Sequence, residues 1–327
     1  MNIRLTLLLA AMGVLLFTPP GGAVLEDPIK RRTDTQKFVG LGGYQFLKIG
    51  QAARAVGMGD AYTAVAEDVN AIFWNPAGLT DIRGTAWMAT YTKWLVDSYV
   101  FSGAFAFNTG SDKGGVIGAS VVAFRPSDIP ERTIFQPQGT GNTVSAGDLA
   151  IGVVYALKLT NKFSFGARVQ LVNQTLHTEG LRSVVIDVGT RFYTGYRSLR
   201  VAMALKNFGP DKTVNDRKFF TPLYYNVAIA SELLAEKGDP TYLTVTGETA
   251  FAADYTLRAH VGAELWMQNM IALRAGYKFN YDSDSFSVGA GLNYKITGDR
   301  SVTVDLSYSD MGNYLIAPIR VTVGGTF

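Results

Sequence analysis

From Ile271 to the final residue, Phe327, the chain alternates apolar and polar side chains segment after segment. Ile271, Leu273, Ala275, Tyr277 and Phe279 are separated by Arg274, Gly276 and Lys278 at the inner positions. Phe286, Val288, Ala290, Leu292, Tyr294 and Ile296 are separated by Ser287, Gly289, Gly291, Asn293 and Lys295. Val302, Val304, Leu306 and Tyr308 repeat the pattern against Ser301, Thr303, Asp305 and Ser307, and Ile319, Val321 and Val323 lead to Phe327. Successive side chains of a strand point to opposite faces, so this spacing gives sheets with one apolar and one polar side. A soluble antiparallel sandwich shares that alternation. Here, however, the second face carries Gly, Ser, Arg, Lys, Asp and Asn, too polar for a dry core and suited to a watery lumen. The reading is all-β, a transmembrane antiparallel β-barrel of the outer-membrane kind.

The start of the chain agrees. Arg4 gives a positive beginning, Leu5 to Phe17 is an apolar run too short for a spanning helix, and Gly21 and Ala23 are small residues placed for cleavage. Residues 1–23 read as a secretory signal. There is no cysteine, which excludes disulfides and a lipid anchor on an N-terminal Cys. Beyond the signal no apolar stretch reaches about 18 residues, which argues against an inner-membrane helical protein. Charged residues are 17%, fewer than the roughly 25% of soluble proteins, while aromatics reach 12%. Barrels place aromatics in girdles at the two interfaces. A formal charge of +3 without a basic block gives no case for nucleic acid as a partner. The expected location is the outer membrane of a Gram-negative bacterium, reached after signal cleavage.

A pass for strands gives about fourteen, each of about ten residues, near 84–95, 98–108, 115–125, 146–160, 162–176, 183–194, 198–208, 222–234, 241–252, 256–267, 270–279, 285–296, 300–309 and 318–327. With both chain ends in the periplasm, odd connections lie outside and are long, and even ones are short turns. The longest, 126–145 and 209–221, are the third and the seventh. The short ninth, at Ala253 to Tyr255, fits less well. Closure is required because an open sheet edge in lipid would leave its backbone groups bare. Fourteen strands also make a bore wider than side chains alone can fill, so something else must close it.

Residues 24–82 do not alternate, and they divide the chain into the signal at 1–23, this segment, and a barrel over 83–327. Within it the residues run GQAARAVGMGDAYTAVAEDVNAIFWNPAGLTDI from Gly50 to Ile82. The pattern predicts a helix over Ala61 to Ile72 that ends ahead of Pro76, which lacks an amide proton. Gly57 and Gly59 permit a closely packed backbone, and small residues throughout suit a partly helical hatch, or plug, inside a barrel mouth. The set Gly50, Ala53-Arg54-Ala55, Gly57-Met58-Gly59, Ala61-Tyr62, Val65-Ala66, Asp68 and Trp74-Asn75-Pro76-Ala77-Gly78-Leu79 resembles the N-terminal signature of the PorV/PorQ outer-membrane proteins. That family is in turn similar to the FadL fatty-acid transporters, whose hatch also carries Asn-Pro-Ala. This chain has Asp60 where the family usually has Gly. The resemblance implies a hatch-bearing barrel of fourteen strands and, for PorV, service in type IX secretion, receiving exported proteins that bear a C-terminal signal domain.

The resemblance makes Arg54, Gly57, Gly59, Asn75, Pro76, Ala77 and Gly78 the hatch or gate motif, although Asn75-Pro76 also reads as a plain helix stop. Ile319, Val321, Val323 and Phe327 read as the signal taken by the barrel-assembly machinery. Arg168, Arg191, Arg258, Arg274, Lys278, Asp187, Glu248, Glu264 and Asp305 fall on the inner face, as a selectivity lining or as paired charges bracing the hatch. On the lipid face a basic residue would cost about 2–4 kcal/mol. Trp87, Trp94, Tyr91, Tyr99, Tyr155 and Tyr277 read as girdle or packing residues. His177, in a loop, and His260, inward, are the only histidines; no HExxH or Gly-x-Ser-x-Gly pattern occurs, and nothing places a base beside a nucleophile. No catalytic residue, metal or cofactor is expected. The expected partners are outer-membrane lipid, the assembly machinery and secreted proteins with a C-terminal signal domain. On the alternative, FadL-like reading, the partner is a hydrophobic small molecule in the lumen.

Overall fold

The computed structural model describes residues 42–110, 115–177, 179–214, 217–252, 255–298, 300–312 and 315–327. The signal read over 1–23 and the first part of the segment before the barrel lie outside the described residues. Fourteen strands, β1 Thr85–Lys93, β2 Tyr99–Asn108, β3 Val116–Arg125, β4 Ala146–Lys158, β5 Phe163–Leu176, β6 Glu179–Tyr193, β7 Arg200–Phe208, β8 Tyr224–Glu232, β9 Tyr242–Ala252, β10 Arg258–Met267, β11 Ile271–Phe279, β12 Phe286–Thr297, β13 Arg300–Ser309 and β14 Ile319–Thr326, pair antiparallel in chain order. Closure comes from β14 lying on β1, from Ala86 opposite Thr326 to Lys93 opposite Ile319. The sheet has no edge, so its backbone groups are satisfied without water.

The two faces differ as the alternation requires. On β13, Val304, Leu306 and Tyr308 point outward while Asp305, Ser307 and Ser309 are buried inside. Aromatic rings ring both rims. Tyr91, Tyr99 and Phe101 touch at one, as do Tyr277 and Phe279, and Phe105, Tyr155, Phe192 and Phe327 are exposed toward the other. Trp94 instead packs inward, with the Arg320 guanidinium 5.2 Å from its ring.

Thr85 and Thr326 lie at the same end, the inner end. The connections 126–145 and 209–223 are at the opposite, outer end, as parity requires. The ninth connection is short, and so is the fifth. There β5 and β6 run to 14 and 15 residues, so the pair rises as a hairpin, with His177 at its tip in the left-handed region. The long outer connections carry small ladders of their own, Ile129–Pro130 with Thr143–Val144 and Lys212–Val214 with Arg217–Phe219.

Residues 42–82 pass down the lumen from outer end to inner. Gly43 donates its amide to the Phe220 carbonyl at 2.9 Å, Tyr44 donates to Gln174 Oε1 at 3.1 Å, and at the far end Asn108 Nδ2 donates to the Ile82 carbonyl at 2.7 Å. The helix expected over Ala61 to Ile72 is absent. Two short helices stand instead, α1 Ala53–Gly57 and α2 Ala71–Trp74, with turns between them. The reason is that the barrel wall takes the backbone groups a helix would have used. Glu248 accepts from the Thr63 amide, and Arg200 and Arg191 donate to the Ala64 and Ala66 carbonyls. The expected stop is present, for α2 ends at Trp74 ahead of Asn75-Pro76.

Candidate functional site

Two glycine seats in the wall receive the hatch. Gly262 and Gly276 face each other across β10 and β11, with Gly289 on the next strand. A Cβ at Gly276 would lie 2.1 Å from the Gly59 nitrogen, and one at Gly262 would lie 2.4 Å from the Met58 carbonyl oxygen. Gly59 itself has φ +67, which glycine adopts without strain. Gly57 packs its backbone on Gly289, where an added Cβ would come within 3.1 Å of Cα. The second seat is Gly166 opposite Gly189 on β5 and β6. Cβ atoms there would lie 2.4 Å from the Pro76 carbonyl carbon and 2.0 Å from Asn75 Oδ1. The motif residues thus divide, Arg54, Gly57 and Gly59 on one wall and Asn75, Pro76 and Ala77 on the other. Gly78 packs within the hatch against the Ala66 carbonyl.

Asn75 serves as both stop and anchor. Its Oδ1 accepts from the Ala77 amide at 3.1 Å, capping the 3-10 turn Pro76–Asp81, while its Nδ2 donates to the carbonyls of Thr63 and of Thr190 on β6. One side chain joins turn, hatch and wall.

Most of the inward charges are buried and paired, not exposed to a watery channel as the composition of that face suggested. Arg54 donates to both Glu264 oxygens, at 2.6 and 2.8 Å, and reaches Asp68 and Glu67 at 2.8 and 3.3 Å. Glu264 is shared with Arg274, which continues to Asp305 at 2.6 Å. Arg168 pairs with Asp187, Arg191 with Asp81 of the hatch, Arg200 with Glu232, and Lys278 with both Asp60 and Asp284. Arg258 lies between the rings of Tyr255 and Tyr281, 3.9 and 4.0 Å away. Burial alone would push the Glu67 carboxyl up, but Lys237 and Arg54 hold it down at about 2; Lys278 likewise lowers Asp60 against its burial. Paired and hydrogen-bonded charges tolerate such a site, whereas removing one partner strands the other. These contacts match bracing rather than a lining open to solute.

Toward the outer end a cavity of about 70 Å³ separates the hatch from the wall between β5 and β10, with Trp74, Lys206, Asn226, Glu248 and His260 among its lining. His260 sits there with Nε2 2.9 Å from the Tyr281 hydroxyl. Among the described residues no group of His, Cys, Asp and Glu is arranged to hold a metal. At the barrel seam Ile319, Val321 and Val323 face outward, and Phe327 exchanges backbone hydrogen bonds with Thr85.

The fold is shared with solved structures, and part of the chain matches a known family. Among solved structures the chain is similar to the CymD monoaromatic hydrocarbon channel (TM-score 0.57, 13% identity, 85% of this chain and 98% of that one). It is also similar to the Pseudomonas putida toluene transporter TodX and to a Pseudomonas aeruginosa FadL homologue, each at TM-score 0.53 and 11% identity over the same shares. At such identities the likeness is one of fold, an outer-membrane barrel of the FadL type. No curated protein matches. The family model described as "Type IX secretion system protein PorV" matches residues 32–208, which take in Arg54, both glycines of the first seat's hatch side, the Asn75-Pro76-Ala77 anchor and its wall glycines Gly166 and Gly189. With more than half its length so matched, this outer-membrane barrel belongs to the PorV family.

Proposed function

We propose that this barrel is a non-enzymatic partner of type IX secretion, receiving surface-exported proteins at its outer end and carrying them toward their attachment machinery. The observation that carries this reading is the hairpin of the third connection. Glu131 Oε2 accepts from Thr140 Oγ1 at 2.8 Å and from Asn142 Nδ2 at 3.2 Å, and a turn from Thr133 to Gln136 holds Ile134 and Phe135 at the tip, each 94% exposed. Two adjacent large apolar side chains held entirely in solvent by an ordered loop suit a protein partner rather than a monomer's surface.

The lumen supports the same choice over hydrophobic uptake. A site for a drug-sized apolar ligand is commonly several hundred Å³ and lined by hydrophobic side chains. The cavity above this hatch is about 70 Å³ and lined by Asp60, Lys206, Glu248 and His260 among others. The hatch beneath it is held by shared carboxylates on one wall and by Asn75 on the other. The test is affinity purification from native outer membrane, with mass spectrometry of bound proteins and lipids, on the parent and on an Ile134→Ser, Phe135→Ser variant. Secreted proteins with a C-terminal signal domain are expected from the parent and severalfold fewer from the variant. Fatty acids without any partner protein would replace the proposal with the uptake reading.

A further inference from the structure

The outer cavity is lined by two opposite charges, Glu248 and Lys206, that make no ion pair among the described residues. Glu248 accepts from the Thr63 amide at 3.0 Å and from Asn226 Nδ2 at 2.7 Å, yet among the described residues it makes no ion pair. The Lys206 ammonium makes neither an ion pair nor a hydrogen bond among them; its Nζ lies 5.7 Å from the centroid of the Trp74 ring. Three more lining side chains, Gln51, Asn226 and His260, are each 5% exposed and carry an unpartnered polar atom, Oε1, Oδ1 and Nδ1. Most other inward cations and anions pair with each other, as Arg168 does with Asp187 and as Lys278 does with Asp60, whose Oδ1 is left as one more unpartnered acceptor beside this cavity. Buried acceptors without partners carry a desolvation cost, and these lie beside two charges without counter-ions, so their concentration around one cavity asks for a ligand that answers them.

We propose that this cavity binds a small zwitterion of amino-acid size, its ammonium group meeting Glu248 and the acceptors of Gln51 and Asn226, and its carboxylate meeting Lys206. A ligand of one charge satisfies only one side of the site. A volume of about 70 Å³ has room for about five water molecules, the number of heavy atoms in the smallest amino acids. The indole of Trp74 offers an apolar wall for the methylene or methyl group between the two charges. The site does not depend on the outer hairpin and stands or falls separately from the secretion role.

The experiment is calorimetric titration of the full chain in detergent with glycine and L-alanine, and with methylamine and acetate as single-charge probes. The same titrations are made on Glu248→Gln and Lys206→Met, with the heat-dependent gel mobility of a folded barrel verifying each protein. Glycine or alanine is expected to bind, with methylamine and acetate about tenfold weaker or more, and each variant is expected to lose about tenfold in amino-acid affinity. Absence of any glycine or alanine heat with the folded parent, equal affinity for methylamine, or variants that fold and keep full affinity would each overturn the proposal.

Discussion

Arg54 and Phe135 represent two ways of building this molecule. The guanidinium of Arg54 is buried and shares its protons among Glu264, Glu67 and Asp68, so its position is fixed from several directions at once. Phe135 stands at the tip of a hairpin whose order comes from a few hydrogen bonds within the loop, and its ring touches water on nearly every side. In the lumen, polar chemistry is consumed by packing. At the outer rim, apolar surface is left unspent. A barrel this wide must be stoppered to keep from leaking, and the stopper uses up most of the inward charge, which moves the surface available for partners to the outer loops.

The largest effect expected from breaking the buried half of this comparison is at Glu264. Glu264→Ala leaves Arg54 and Arg274 facing one another without their common carboxylate, and breaking a buried ion pair in this way costs about 3–5 kcal/mol. Urea unfolding in detergent, followed by tryptophan fluorescence, measures it; a loss below about 1 kcal/mol would rank the network with surface ion pairs. The Ile134→Ser, Phe135→Ser protein, in the same assay, should stay within about 0.5 kcal/mol of the parent, as surface changes do. Next in size is Gly276→Leu. Its side chain must enter space held by the Gly59 nitrogen, and overpacking of this kind costs about 1–3 kcal/mol. Gly247→Leu, on the neighbouring wall where nothing lies within 4 Å, is the matched control. A hatch seated as described becomes protease-sensitive in the first variant and not in the second.

Much of this architecture is written in the sequence, and the missing part has a physical reason. Alternation with period two set out the last four strands, because lipid and lumen enforce opposite chemistry on successive residues, and strand-length segments between turns gave the other ten. Arg54, Gly57, Gly59 and the Asn75-Pro76-Ala77 run stood out as a compact motif. Gly166, Gly189, Gly262 and Gly276 did not, since each is simply a small residue at an inward position until the register pairs Gly166 with Gly189 and Gly262 with Gly276. The inward alternation also promised water, whereas most of the charges are taken by the hatch or by one another across the wall. Alternation reports which side a residue faces and says nothing of what fills the space beyond it. The helix expected over 61–72 failed for a related reason: Arg191, Arg200 and Glu248, far away in the chain, capture its backbone groups.

A smaller effect separates the hatch from the rim by pH. Glu67 sits between Arg54 and Lys237 with its carboxyl held at about 2, against 4.5 for the free group. A carboxyl lowered on folding contributes stability that is present in full above its unfolded value and disappears as pH falls toward the folded one. The Glu67 contribution is therefore constant from neutral pH down to about 4.5 and is lost between there and about 2. Melting temperatures of the parent and of Glu67→Gln should converge across that window. Parallel curves would mean that the carboxylate does not hold the hatch.

The smallest effect concerns the one departure from the family pattern. Asp60 occupies a left-handed conformation at φ 60, where a residue with a Cβ costs about 1 kcal/mol relative to glycine. Its carboxylate recovers that cost by pairing with Lys278 at 2.5 Å. Lys278 has a second carboxylate, Asp284 at 2.6 Å, so Asp60→Gly removes strain and one ion pair while leaving the buried ammonium partnered. The two changes oppose each other, and the net shift in unfolding free energy should lie within about 1 kcal/mol. Double substitution with Asp284→Asn removes the remaining partner and should cost several times more than either change alone, the non-additivity expected of residues that share one charge. If the two changes simply added, Lys278 would be solvated rather than bridging hatch and wall, and the outer side of the hatch would belong with the rim rather than with the buried lock around Arg54.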